Sequence, residues 1–198
     1  MSIGVWTTVA NLVAPGTAIA SSSARTSLTV GSTQARWTMP GNFLKVPGDQ
    51  LLLEASGIIT TVVTTPGTLT LDLALGTVAN CASGAMTLNT TAQTNMPWYL
   101  KLLMTAFAVG AGTAAQLRFT GYWLSEASVG AALGATGPGP GGQMIPYSGT
   151  ATGASTLGTT FDSTVSNQVD LYSTFSVSTA NSIQLLQYNL SMLTNTGF

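Results

Sequence analysis

The chain has 198 residues, of which 45% are hydrophobic and only 6% charged, with no histidine and a formal net charge of -1. An ordinary soluble domain is roughly a quarter charged, so most of this surface must be built from hydroxyls, amides and backbone, a skin suited to contact with other protein copies. Scattered Arg25, Arg36, Lys45, Lys101 and Arg118 form no footprint for a phosphate backbone, and a lone Cys81 without histidine removes the disulfide and the usual zinc or transition-metal ligand sets, so neither nucleic acid nor a metal is expected.

The opening MSIGVWTTVANLVAPG has no basic residue ahead of its apolar stretch, so it lacks the charge layout of a secretory signal and is expected to remain in the mature protein. Residues 1–23 fit a sandwich poorly and read as an extended N-terminal arm. Its Trp6, Val9, Leu12 and Ile19 need another surface to cover them, and are the candidate partner-binding residues. From Arg25 onward a period of two dominates, with Leu28 and Val30 alternating with Ser27 and Thr29. The turn Val46-Pro47-Gly48-Asp49 precedes a strand in which Leu51, Leu53 and Ala55 alternate with Leu52, Glu54 and Ser56. Ile58 to Thr64 is rich in β-branched residues and ends at the turn Thr65-Pro66-Gly67. Leu69, Leu71, Leu73 and Leu75 then face one side and Thr70, Asp72 and Ala74 the other, which predicts a half-buried strand closed by Gly76.

A looser polar stretch from Asn80 to Asn95 leads to Pro97, after which Trp98 to Val109 reads as a long, largely buried strand. At about a dozen residues, interrupted by Lys101, it falls far short of the ~20 needed to cross a bilayer, and no membrane span is predicted. Gly110-Ala111-Gly112 turns the chain into Gln116 to Leu124, with Gly121 marking a place for a bulge, and the two strands form a hairpin. The text from Val129 to Gly158 is rich in Gly, Pro, Ala, Ser and Thr and culminates in GATGPGPGGQ. It predicts a long exposed, flexible insertion with Gly137, Gly139, Gly141 and Gly142 at its tip. Val169, Leu171, Ser173, Phe175 and Val177 alternate with polar neighbours, Ala180-Asn181 turns, and Ile183 to Leu193 is the last strand. About eight strands without an amphipathic helix predict an all-β fold, an antiparallel two-sheet sandwich over residues 24–198 with the jelly roll as its leading version.

Chemistry is scarce. Serine and threonine abound, but a nucleophilic hydroxyl needs a positioned base, and neither Lys45 nor Lys101 has SxxK spacing. Asp49 with Glu54, or Asp162 with Asp170, are the nearest carboxylates in sequence that could act as the acid and base of a glycan-active enzyme, with Asp72 and Glu126 further off. Turn and loop positions explain most of them more simply, because Asp bonds local backbone there. The glycine tract is not followed by Lys-Ser or Lys-Thr and opens no helix, so it is no phosphate loop. The sequons at Asn89 and Asn189 are chance matches in an Asn- and Thr-rich text, and Cys81 reads as a small apolar filler. Trp98, Tyr99, Tyr122, Trp123, Tyr172, Phe175 and Tyr188 read as core and sheet-face residues before they read as a sugar or base platform. No enzyme is expected, and no catalytic, cofactor-binding or metal-binding residue is assigned.

Three runs are more telling together: GDQLLLEASGIITTVVTTPGTLTLDLALGT, PWYLKLLMTAFAVGAGTAAQLRFTGYWL and VDLYSTFSVSTANSIQLLQYNLSML. A Gly-Asp turn leads into an apolar strand, a Pro-containing turn precedes a Leu-rich strand, and an Asp-led strand pairs through an Asn-Ser turn with the last one. This order resembles small virion proteins of tailed bacteriophages over about Ala24 to Leu193, the Gly-rich insertion excepted. The resemblance implies a jelly-roll protein, made in the host cytoplasm, that assembles as a homotrimer on the outer surface of a virion. There it would be a capsid decoration protein clamping adjacent major capsid proteins, the trimer burying strand faces near Trp98 to Val109 or Gln116 to Leu124. The alternative is a tail or fibre tip protein whose Val129 to Gly158 loop contacts a host receptor. Threonine suits tight symmetric contacts, since it is stiff at χ1 and loses less side-chain entropy on ordering than Lys or Glu.

Overall fold

The computed structural model describes residues 5–31, 35–62, 65–130, 139–145, 156–158 and 160–193, and of 129, 130, 139–145 and 156 it describes the backbone alone. Every regular element among them is a strand. In chain order these are β1 (Trp6–Asn11), β2 (Ile19–Ala20), β3 (Thr26–Ser27), β4 (Trp37–Met39), β5 (Gln50–Thr61), β6 (Thr68–Leu75), β7 (Val78–Ala82), β8 (Met86–Thr87), β9 (Gln93–Ala108), β10 (Gln116–Gly130), β11 (Gly139–Ile145), β12 (Thr156–Leu157), β13 (Asn167–Phe175) and β14 (Ser182–Leu193). The larger sheet runs β1-β14-β5-β9-β10-β11, with β2 also on β14 and β12 also on β10. The smaller runs β3-β13-β6-β7, with β4 also on β13 and β8 also on β6. All pairings are antiparallel, and the two sheets form the expected sandwich.

The connectivity is jelly-roll-like. Successive strands β5 and β6 lie in different sheets, and so do β13 and β14; β5 pairs with β14 while β6 pairs with β13. The first long strand thus meets the last and the second meets the penultimate, the nesting of a ribbon rolled across two layers. Between them β6-β7 and β9-β10 close as local hairpins.

Strict alternation sends Leu51, Leu53, Ala55 and Ile59 of β5 inward, facing Trp98, Leu100, Leu102 and Met104 on β9 in the same layer of the core. The Trp98 and Trp123 rings stack with centroids 5.1 Å apart. Their polar tips are satisfied, Trp98 Nε1 donating to the Ile58 carbonyl (3.2 Å) and Trp123 Nε1 to Ser128 Oγ (3.0 Å). Gly57 makes room for this stack: a Cβ there would sit 2.8 Å from the Trp98 ring and 1.9 Å from the Gln184 carbonyl oxygen.

Several local expectations need correction. β10 runs past Leu124 to Gly130 and pairs regularly through Gly121, its irregularities falling at Gln116/Leu117 and Ser125/Val129. Gly121 is there for closeness, because a Cβ would lie 2.0 Å from the Lys101 carbonyl oxygen. The Gly-rich tract is not all loop, since Gly139–Ile145 pairs with β10 as β11 and Thr156–Leu157 also joins β10. Glycine weakens a strand by only about 0.5–1 kcal/mol, whereas the edge of β10 offers a row of amides and carbonyls that need partners. Gly137 lies outside the described residues, as do 131–138 and 146–155. The polar stretch from Asn80 to Asn95 holds the end of β7, all of β8 and the start of β9. The alternation at Ser27 to Val30 yields only the two residues of β3 before a turn, and on β6 the polar side is buried too, at Asp72 and Ala74.

The N-terminal segment is the largest departure. Residues 6–11 form the edge strand of the larger sheet, paired with β14 from Trp6↔Leu193 to Asn11↔Asn189, and Ile19–Ala20 pairs with Ile183 and Ser182. The segment belongs to the sandwich because β14 would otherwise present an unpaired edge.

Candidate interaction face

The outward positions of the smaller sheet carry Asp72, Ala74, Asp170 and Tyr172, with Tyr172 opposite Asp72 and Asp170 opposite Ala74. They are closed over by the chain itself. Arg25 Nε donates to both Asp72 oxygens (3.0 and 3.1 Å) and its guanidinium sits 3.7 Å from the Tyr172 ring centroid. Asp170 accepts from Ser27 Oγ at 2.9 Å, from the Thr29 hydroxyl, and from Arg36 Nε at 3.2 Å. Asp72 is 5% exposed and Asp170 1%. A buried carboxylate is tolerated when it is both ion-paired and hydrogen-bonded, and here that pairing ties residues 25–31 and 35–39 across the sheet.

The remaining carboxylates split between turns and the other face. Asp49 accepts the Lys45 and Val46 amides (2.7 and 3.2 Å), capping the turn ahead of β5. Asp162 accepts the Gly112 and Thr164 amides and the Thr164 hydroxyl; that hydroxyl first, then the two amides, holds its carboxyl below the usual range. Buried Asp49 caps a turn while Glu54 lies on the outward side of β5, and Asp162 is held by a loop while Asp170 is tied to Ser27, Thr29 and Arg36, so neither candidate pair converges on a common site. Cys81 is buried, and that burial pushes its thiol up.

The outward side of the larger sheet is different. Register places its side chains in rows across β14, β5, β9 and β10: Leu193-Gln50-Thr105-Arg118, Ser191-Leu52-Leu103-Thr120, Asn189-Glu54-Lys101-Tyr122 and Gln187-Ser56-Tyr99-Leu124. Leu52, Tyr99, Leu103 and Tyr122 are only half-buried, and Phe107 and Leu124 are exposed. At the centre Lys101 Nζ lies 3.1 Å from Glu54 Oε1, which also accepts the Tyr99 hydroxyl at 2.8 Å. The Tyr99 hydroxyl and then Lys101 hold the Glu54 carboxyl below its usual range. Partial burial and the Glu54 carboxylate push the Tyr99 hydroxyl up to about 12. The Tyr99 and Tyr122 rings lie 6.0 Å apart, tilted by 38°. A depression of about 420 Å³ opens over β5 and β14, lined by Leu12, Glu54, Ser56, Tyr99, Gln187 and Asn189 among others. A second, of about 220 Å³, lies over β9 and β10 between Lys101, Leu103, Thr120 and Tyr122.

The four N-terminal residues singled out in the sequence are divided by the fold. Trp6 is 41% exposed at the sheet edge, whereas Ile19, at 7%, is part of the core. Val9 and Leu12 pack partly buried against that core, and Leu12 also lines the larger depression while its amide donates to the Tyr188 carbonyl at 3.0 Å. Only Trp6 of the four offers a large open apolar surface. The Glu54, Tyr99, Lys101, Gln187 and Asn189 group escaped sequence reading as a unit because its members come from three strands; the outward parity of Glu54 on its strand was the one local signal. No protein-family model matches the chain, and the curated proteins contain no match to it.

Proposed function

We propose that this chain is a structural virion protein, a capsid decoration protein that trimerises and clamps adjacent major capsid proteins on the outside of the particle. The observation that carries the reading is the outward face of the larger sheet, whose half-buried Leu52 and Leu103 and exposed Phe107 and Leu124 surround an ion pair that is already neutralised within the chain. Identical copies can meet over that pair without like-charge repulsion, with the exposed Arg118 left at the rim of the contact. Strands ~4.8 Å apart and ~3.4 Å per residue give the four central strands a footprint of about 600 Å² over roughly ten shared residues. The β9-β10 half of it, with β11 alongside, supplies part of the ~800 Å² per partner of a standard interface. In a closed threefold ring each copy sets its β9-β10 half against its neighbour. Burial at about 25 cal/mol per Å² of apolar surface, less the costs of association, makes the clamp a mechanical device.

Trp6, open at the edge of the sheet, is assigned to the major capsid protein. Light scattering on the purified chain should give a trimer mass, and imaged particles should carry many copies on the shell. Trp6→Ala should lower retention on empty capsids and leave the trimer intact. A monomer at micromolar concentration that ignores empty capsids would overturn the reading, and a few copies confined to the tail would replace it with the tail-tip role.

A further inference from the structure

We infer that the depression over β5 and β14 is a binding site for a neutral saccharide, a mono- or disaccharide unit held by Glu54, Gln187, Asn189 and the Tyr99 ring. Its volume of about 420 Å³ falls within the ~300–1,000 Å³ of small-molecule sites. What points to a sugar is how the polar groups are used. Glu54 Oε1 takes both the Tyr99 hydroxyl and Lys101, which leaves Oε2 as an acceptor. Gln187 Oε1 accepts the Ser56 hydroxyl at 3.0 Å, leaving its amide nitrogen as a donor. Asn189 Nδ2 donates to Ser191 Oγ at 3.2 Å, leaving Oδ1 as a second acceptor. Each side chain is thus oriented from within the chain, Glu54 by two partners and the two amides by one each, and keeps a second function for a ligand, the preorganisation that makes polar recognition effective.

Two acceptors and a donor beside an aromatic ring match a pyranose, which offers neighbouring hydroxyls and an apolar C–H face. Other ligand classes fit less well. Paired with each other, Glu54 and Lys101 offer neither a free cation to phosphates and carboxylates nor an unshared anionic charge to a metal ion, and the amide and hydroxyl lining would strand its polar groups under a purely apolar ligand. The shape of the fold explains the hollow: β14 has a register irregularity between Leu185 and Gln187, and β1 ends at Asn11 just before Leu12 at the rim. The site does not rest on the virion reading: Glu54, Gln187 and Asn189 stand on β5 and β14, outside the β9-β10 half assigned to neighbouring copies, and only Tyr99, on β9 next to β5, is shared with it.

The test is an amide-resolved NMR titration of the full chain with maltose, cellobiose, lactose and N,N′-diacetylchitobiose, run beside pull-downs on amylose, cellulose and chitin. At least one disaccharide should shift the signals of Glu54, Gln187 and Asn189, and the affinity should fall about tenfold or more in Gln187→Ala and Glu54→Gln, a loss of ~1.4 kcal/mol. Gln187 is exposed, so its replacement leaves the fold intact. Binding to disaccharide and polymer alike marks a site for chain ends or interior units, and binding to disaccharide alone a free-sugar site. No shifts with any of the four sugars, or shifts that persist unchanged in both variants, would overturn the inference.

Discussion

The two sheets follow the same alternation, yet their outward sides meet opposite fates. On the smaller sheet the outward carboxylates Asp72 and Asp170 are sealed by Arg25, Arg36, Ser27 and Thr29, so the chain supplies its own cover. On the larger sheet the outward leucines and tyrosines stay half-open or exposed around the Glu54–Lys101 ion pair. Four of the charged groups pin the smaller sheet, whereas the open face carries Glu54, Lys101 and Arg118 among apolar, hydroxyl and amide groups.

The covered side should be broken most severely by Asp170→Ala. It leaves two buried hydroxyls and the partly exposed Arg36 guanidinium without their carboxylate, and hydrogen bonds to a charged group contribute about 1.5–3 kcal/mol each. Thermal unfolding should move down by roughly 10 °C, and an unchanged Tm would mean that residues 25–31 and 35–39 are held by packing alone. On the open side, Leu103→Glu should do the reverse: unfolding of the subunit stays near that of the parent, while association weakens by about 2 kcal/mol or more as a charge enters the contact. Sedimentation at several concentrations reads this directly, and an unaltered mass distribution would move the interface elsewhere.

The smallest effect belongs to the ion pair at the centre of the open face. Glu54 titrates below its usual value in the folded chain, so its contribution is fully present above the unfolded value of about 4.3 and fades as pH falls through the depressed folded value. For a half-open pair it amounts to at most about 1 kcal/mol. The stability gap between the parent and Glu54→Gln should therefore be visible at neutral pH and close under acid. A gap that widened on acidification would reverse the assigned sign.

Much of this architecture is legible in the order of residues, for a local reason. A period of two over Leu51 to Ala55, Leu69 to Leu75 and Val169 to Phe175 specifies strands and their inward sides regardless of what they pair with, and Pro-Gly and Gly-Ala-Gly turns mark their ends. Pairing and cover are not legible there, because they join distant parts of the chain. Ser27 and Asp170 are 143 residues apart, and nothing near either announces the other. The same holds for the N-terminal segment, whose apolar residues look homeless until β14 is placed beside them, and for Gly139–Ile145, whose composition argues against a strand until β10 offers an edge. Sequence by itself thus determined the all-β class, the strands and the sparing use of charge, since these depend on side chains within a few residues. Only the tertiary structure decided which face is sealed, which stays open and where its polar groups converge, because register between remote strands sets those neighbours.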